Sequence, residues 1–236
     1  AAELKAAEMI KLPVILRGRA NHTETIGDAI AWLDELADTA RAEERATGEF
    51  IRPVMLVQSE SKSKDKITLH AEEVKKLLIN DFRVPEAHIV IATGETKGLE
   101  GVNLFDRDCK VRFIITQQAL KEGWDCSFAY VLCSVAEQKS PRAVEQLLGR
   151  VLRLPRASRK GHEKLNRAYA FVASNSFQTV AERLKDGLVD GAGFNRLEAE
   201  MLVKQHGEFE FDDERADFVH KSEALPHTPS GTCQRL

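Results

Sequence analysis

The stretch AYVLCSVAEQKSPRAVEQLLGRVL, residues 129–152, decides the fold that the sequence predicts. Six of its first seven residues are apolar, which is typical of a strand buried on both faces of a sheet. After a short polar link, residues 143–152 carry the pattern of a helix. A buried strand followed by a helix is the repeating unit of a parallel α/β sheet.

The same unit recurs on both sides of this stretch. Thr23 is the predicted N-cap of the first long helix and Gly48 its predicted stop. Five strands that alternate with helices predict an α/β fold, a parallel sheet of about five or more strands with helices on both faces. The other strands are predicted at residues 53–59, 88–93, 111–116 and 168–174, and the other helices at 23–48, 69–82, 177–188 and, for one short helix, through 119–120.

The two ends of the chain are less regular. The segment MIKLPVILRG, residues 9–18, is extended and apolar, and its Pro13 suits an edge strand or a connector better than a central strand. After about Gly193 the alternation weakens, and the remaining sequence is acidic and mixed. We therefore predict a connector at 1–20, one α/β domain at 21–193 and a partly irregular extension at 194–236.

The amino-acid composition limits the classes of protein to which the chain can belong. Apolar residues make up 43% and charged residues 30%, as in ordinary globular proteins. The net charge of -3 provides no global attraction to nucleic acid, so any such contact must be local. The four cysteines show no zinc-ligand spacing, which favours a reducing compartment. No apolar stretch approaches the length of a membrane span, so we expect a cytoplasmic protein without a membrane partner.

The most informative segments follow the strands that end at residues 116 and 135. They are IITQQALKEGWD, residues 114–125, and AVEQLLGRVLR, residues 143–153. In the second, Gln146, Arg150 and Arg153 fall on one stripe of a helix, and Gly149 lets a backbone or ligand come close. Two arginines one turn apart suit phosphate oxygens, although a solvated basic face explains the isolated pattern equally well.

In combination, the two segments resemble motifs V and VI of the second RecA-like domain of superfamily-two DEAD/DEAH-type helicases. The resemblance covers roughly residues 11–188 and is strongest to the restriction (Res) subunit of type III restriction enzymes. It implies a RecA-like sheet. It also implies that Gln146 senses the terminal phosphate of a nucleotide and that Arg150 and Arg153 act as arginine fingers beside Gly149.

The resemblance assigns further residues to the same edge of the sheet. Gly123 and Asp125 would lie at the nucleotide cleft, and Thr116 would lie against nucleic-acid phosphates. Residues 53–61 look like the motif IV strand, whose loop would touch the nucleic-acid backbone through Ser59 or Ser61. Implied partners are the first RecA-like domain of the same polypeptide, double-stranded DNA and a modification methyltransferase subunit.

Two parts of a complete motor, the phosphate-cradling loop and an acidic strand end that holds magnesium, are not found in the sequence. A phosphate-cradling G-x-x-x-x-G-K-[ST] loop is missing, and GETKG, residues 94–98, is its nearest approximation. We therefore expect this chain alone to be inactive and to bind no cofactor. In the full-length parent, ATP and Mg²⁺ would be held mainly by the first domain.

Weaker patterns have simpler explanations. A nuclease-like set at 85–97 is also explained by a polar turn, and the basic stretch 150–167 is either a phosphate track or a solvated loop. His206, Asp212, Asp213 and His220 match no ligand spacing, so no metal site is predicted. Two rival functions stay open, a helicase for repair or RNA processing and a non-catalytic doubly wound domain that binds a nucleotide or protein.

Overall fold

The structure is a computed structural model that describes residues 10–19, 21–63, 68–93, 98–117, 126–136, 152–173, 177–192 and 194–206. The described residues form one parallel sheet of seven strands in the order β3-β4-β2-β5-β6-β1-β7. The strands are β1 (Val14–Arg19), β2 (Val54–Gln58), β3 (Ile89–Ile91), β4 (Phe113–Thr116), β5 (Ala129–Ser134), β6 (Ala168–Ala173) and β7 (Val203–His206).

Four α-helices and three 3-10 helices accompany the sheet in the described part of the chain. The α-helices are α1 (His22–Thr47), α2 (Ala71–Asn80), α3 (Phe177–Ala192) and α4 (Arg196–Leu202). The 3-10 helices are Glu86–His88, Pro155–Ala157 and Glu163–Asn166. The five predicted strands correspond to β2–β6, and the predicted parallel α/β fold is confirmed. The short helix predicted through residues 119–120 lies outside the described residues.

Helices cover both faces of the sheet. α1 lies in the crossover from β1 to β2, and α2 lies in the crossover from β2 to β3; both crossovers run toward the β3 edge of the sheet. α3 and α4 lie in the crossover from β6 to β7, which runs toward the opposite edge. Because crossovers between parallel strands are right-handed, these two directions place the helices on opposite faces. Trp32 of α1 packs on Tyr169 of β6 with ring centroids 5.0 Å apart, and every residue of β2 and β5 is buried. Burial on both faces explains why these strands are continuous apolar runs.

The two ends of α1 can be compared with the predicted N-cap, Thr23, and the predicted stop, Gly48. Gly48 has a φ of 76° and terminates the helix in the left-handed conformation, as predicted. Thr23 is not the N-cap. Asn21 takes that position, and its side chain accepts a hydrogen bond from the Thr23 amide at 2.8 Å. Asparagine caps a helix at least as well as threonine, and here it stands two residues earlier.

Strand β1 is not an edge strand, and the prediction for residues 9–18 is wrong on this point. β1 pairs with β6 on one side and with β7 on the other. Pro13 precedes the strand, so its missing amide interrupts no ladder, and its carbonyl accepts a bond from the Ala168 amide at 3.4 Å. The segments predicted as connector and extension thus each contribute a strand to the sheet.

None of the described helices combines the length and the apolar character that a membrane crossing needs.

Candidate functional site

The carboxyl ends of β2, β4 and β5 meet at one edge of the sheet. The Ser59 amide donates to the Thr116 carbonyl at 2.8 Å, and the Val135 amide donates to the Gln58 carbonyl at 3.0 Å. These bonds continue the strand pairing beyond the last residue of β2. The chain therefore leaves β4 and β5 on the two sides of the end of β2, at the edge where ligands bind in parallel α/β folds.

Buried polar side chains tie these strand ends together. The Ser134 hydroxyl donates to Oε1 of Gln58 at 2.9 Å, and the Ser59 hydroxyl donates to the Thr116 carbonyl at 3.2 Å. All four residues are buried. Because a buried polar group without a partner costs free energy, this network fixes the relative positions of the three ends.

The structure brings two of the three predicted nucleic-acid residues together. Ser59 and Thr116 are neighbours and each is only 1% exposed, whereas Ser61 lies farther along the loop and is exposed. The Ser59 hydroxyl is already directed to a carbonyl inside the protein. The contact of these residues with nucleic acid stays a prediction, and exposure favours Ser61 over Ser59.

Arg153 is the one predicted catalytic residue among the described residues, and it does not lie on a helix. It forms an antiparallel bridge with Ile10, and the adjacent Leu152 carbonyl accepts a bond from the Lys11 amide at 2.5 Å. The predicted helical stripe is therefore wrong at Arg153. Leu154 precedes Pro155 and has a ψ of 141°, because proline disfavours the helical conformation of the residue before it.

The other residues of the predicted nucleotide site lie outside the described residues. They are Gly123, Asp125, Gln146, Gly149 and Arg150. Arg153 itself is exposed. Its role as an arginine finger, and its grouping with Gln146 and Arg150, stay predictions.

The basic stretch after Leu152 is bound to carboxylates of the same chain. Each of five basic side chains has an acidic partner, and two of the partners belong to α1 or to the segment directly after it. The pairs are Lys160–Glu49 at 2.7 Å, Lys164–Glu35 at 2.7 Å, Arg159–Glu163 at 3.3 Å, Arg167–Glu163 at 3.6 Å and Arg156–Glu49 at 4.0 Å. This pairing favours an anchored loop over a phosphate track.

Sequence reasoning missed the carboxylate that organises this loop. Glu43 is buried and accepts bonds from the amides of Gly161 at 2.8 Å and His162 at 3.0 Å. A signal was present, because Glu43 follows Leu36 and Ala40 on the buried stripe of α1. A carboxylate on such a stripe needs a hydrogen-bonding partner.

The nuclease-like pattern finds no support in its described residues. Lys75 donates to Glu86 at 2.7 Å, and this hydrogen bond lowers the pKa of the Glu86 carboxyl below its usual value. Glu95 and Lys97 lie outside the described residues. Within the described ranges, no group of three or more His, Cys, Asp or Glu side chains is arranged to hold a metal ion.

Comparison with known proteins identifies no family. No protein-family model and no curated protein matches the chain. Among solved structures, the DNA-bound ATP-dependent type ISP restriction-modification enzyme LlaBIII is similar, with a TM-score of 0.46, 12% identity and coverage of 92% of this chain. The C-terminal domain of S. cerevisiae Dbp5, bound to Gle1 and IP6, has a TM-score of 0.44, 15% identity and coverage of 90% of this chain and 97% of that domain. This chain spans 17% of the length of the restriction-modification enzyme.

Proposed function

We propose that this chain is the second motor domain of an ATP-dependent DNA helicase or translocase. The observation that carries the proposal is the shared edge at which β2, β4 and β5 end, tied by the bonds from Ser59 to Thr116 and from Val135 to Gln58. In sequence, the chain runs from that edge into the two motif-bearing segments, residues 114–125 and 143–153. Their residues are of the types that bind nucleotide phosphates, and they occur in the order of helicase motifs V and VI.

In this proposal the chain stabilises charge that develops on a nucleotide held by a neighbouring lobe. ATP with Mg²⁺ would supply the phosphoryl group whose transfer drives movement on DNA. Arg150 and Arg153 would place guanidinium groups against that group, a contribution on the order of 10³ in rate. Gln146 would sense the terminal phosphate, and Gly123, Asp125 and Gly149 would line the cleft.

Nucleic acid would be held by the loops after β2 and β4. Ser61 is exposed, so its hydroxyl is available to a phosphate oxygen. Ser59 and Thr116 are buried and joined by hydrogen bonds, so their part in the proposal is to fix the backbone of the two loops. Local contacts of this kind agree with a chain of net charge -3.

The finer form of the proposal places the parent protein in restriction-modification. The chain would belong to a cytoplasmic Res subunit of a type III enzyme and would work with the first RecA-like domain of the same polypeptide. Double-stranded DNA and a modification methyltransferase subunit would be the other partners. This finer form rests on the resemblance of the motif V and VI segments.

The test is DNA-stimulated ATP turnover by the full-length protein that contains this chain. We expect Arg150→Ala and Arg153→Ala each to lower kcat by on the order of 10³ while the protein stays folded and binds DNA. Arg41→Ala is the matched control, because Arg41 is an exposed arginine of α1 paired with Asp38.

Two results would count against the proposal. Unchanged turnover in both motif variants would favour a non-catalytic domain that binds a nucleotide or protein. Stimulation by RNA and not by duplex DNA would favour a helicase for RNA.

A further inference from the structure

Glu60, the second residue beyond β2, joins the chain that leaves the sheet to the chain that enters α2. Its amide donates to the Leu69 carbonyl at 3.0 Å, and its Oε2 accepts from the Leu69 amide at 2.6 Å. Glu60 and His70 also form a parallel bridge. Glu60, Leu69 and His70 together form what we call the neck, which closes the connection between β2 and α2.

The neck is attached to the carboxyl-end edge of the sheet, where the proposed site lies. The residue before it, Ser59, is buried and its amide donates to the Thr116 carbonyl at 2.8 Å. The residue after it, Ala71, is buried and begins α2. Both ends of the neck are therefore fixed, and Ser61 and Lys62 follow directly from a rigid base.

The sequence between the two ends of the neck is locally basic. Residues 61–68, SKSKDKIT, contain three lysines and one aspartate, although the whole chain has a net charge of -3. Ser61 and Lys62 are exposed, and neither side chain has an ion pair or a hydrogen bond with any of the described residues. A lysine of this kind is available to a phosphate of nucleic acid, where its charge displaces a bound counterion.

The carboxylate of Glu60 is the unexpected member of this loop. A negative charge beside a basic loop repels the phosphates that the loop would bind. Glu60 is partly buried, however, and its Oε2 is engaged by the Leu69 amide in a short, charge-assisted hydrogen bond. The carboxylate therefore serves the geometry of the neck.

We infer that Glu60 is a positioning residue that holds Ser61 and Lys62 against the phosphodiester backbone of duplex DNA. This inference rests on the proposed function and adds two residues to it. Lys62 contacts a phosphate through its ammonium, and Glu60 contacts no DNA. Because phosphates carry no sequence information, the contact is the same on every DNA sequence.

The first test is Lys62→Ala in the full-length protein, with Kd measured by fluorescence anisotropy on a labelled duplex DNA of mixed sequence. We expect affinity to fall roughly 8-fold at about 0.1 M salt, the counterion-release contribution of one phosphate contact. Between about 50 and 200 mM salt, the slope of log Kd against log salt concentration should fall by about 0.9. Lys110→Ala is the matched control, because Lys110 is an exposed lysine ahead of β4, at the opposite edge of the sheet. It should change neither Kd nor the slope.

The second test compares Glu60→Ala with Glu60→Gln. On charge alone, both variants should bind DNA more tightly than the wild type. We expect Glu60→Ala to bind between about 3- and 8-fold more weakly, with the salt slope lowered toward that of Lys62→Ala. Glu60→Gln should bind more tightly than Glu60→Ala, because its side-chain oxygen still accepts from the Leu69 amide. Both variants lack the charge, so the difference between them isolates the hydrogen bond.

The double variant Glu60→Ala/Lys62→Ala shows whether Glu60 acts through the lysine. If it does, the loss of affinity stays close to that of Lys62→Ala alone and well below the product of the two single effects. A product of the two effects would mean that Glu60 acts independently of Lys62.

The inference is overturned if folded Glu60→Ala binds DNA as tightly as the wild type or more tightly, or if Glu60→Ala and Glu60→Gln bind equally. If Glu60→Ala does not fold, Glu60→Met keeps the length of the side chain without its acceptor oxygens, and the same comparison with Glu60→Gln decides. If Arg150→Ala lowers DNA-stimulated turnover while the Lys62 and Glu60 variants bind DNA like the wild type, only this inference fails. If the wild type shows no DNA-stimulated turnover, the proposed function fails with it.

Discussion

The ammonium of Lys160 lies 2.7 Å from Oε1 of Glu49, although 111 residues separate the two in sequence. The lysine side chain is 1% exposed and the Glu49 side chain is 16% exposed, so this ion pair is largely buried. We expect Lys160→Met to lower the free energy of unfolding by about 3 kcal/mol, because it leaves the Glu49 carboxylate without its main partner. Urea unfolding measures the change.

Lys164→Met serves as the comparison for that experiment. Lys164 pairs with Glu35 at the same 2.7 Å, but both side chains are partly exposed. Its loss should cost less than about 1 kcal/mol. Equal effects of the two substitutions would mean that burial does not strengthen the Lys160 pair.

Leu56 in the centre of β2 has no exposed surface, and helices cover both faces of its sheet. We expect Leu56→Ala to cost about 2–5 kcal/mol of unfolding free energy, through lost apolar contact and the cavity left behind. Leu197 on α4 is 67% exposed, and Leu197→Ala should change stability by less than about 0.5 kcal/mol. Similar losses of unfolding free energy in Leu56→Ala and Leu197→Ala would contradict the central position of β2.

Gly48 ends α1 with a φ of 76°, and a Cβ added there would meet no other atom within 4 Å. The only cost of a side chain is therefore the left-handed backbone. We expect Gly48→Ala to lower thermal stability by about 1 kcal/mol. Gly48→Asn should cost less, because asparagine tolerates this conformation better. A larger loss in Gly48→Asn would show that space, and not backbone conformation, limits the site.

Cys133 in β5 is fully buried, and this burial raises the pKa of its thiol to about 12. Because the thiolate is the reactive form, the folded protein should resist alkylation at Cys133 at pH 8. Cys109 is only partly buried and should react first. Mass spectrometry of digested protein after timed iodoacetamide treatment resolves the two sites. Modification of Cys133 at the rate of Cys109 in the folded state would contradict the buried environment.

The regular part of the fold could be predicted because it depends on local apolar runs. Residues 54–58 and 129–134 lie in strands buried on both faces, and their sequences leave little alternative to a central strand. Strand β7 could not be predicted in this way. Its sequence, VKQH, carries one apolar residue, and the strand exists because it pairs with β1.

The candidate site could be predicted only in part, for a similar physical reason. The strand ends at Gln58, Thr116 and Ser134 follow from the apolar runs that precede them. Glu43 accepts its bonds from the amides of Gly161 and His162, more than a hundred residues away, and no local pattern reveals which amides these are. That Arg153 does not lie on a helix could have been predicted from the sequence, because Pro155 stands two residues beyond it.

The position of β1 between β6 and β7 also has a consequence for protein synthesis. Val14 pairs with Ala168 and Val203, so an apolar strand made early has no partners until the ribosome has added most of the later residues. At typical translation rates this wait lasts roughly 10–30 s. During that interval Val14, Ile15 and Leu16 lack the partners that bury them in the folded protein, and exposed apolar segments of incomplete chains are prone to aggregate.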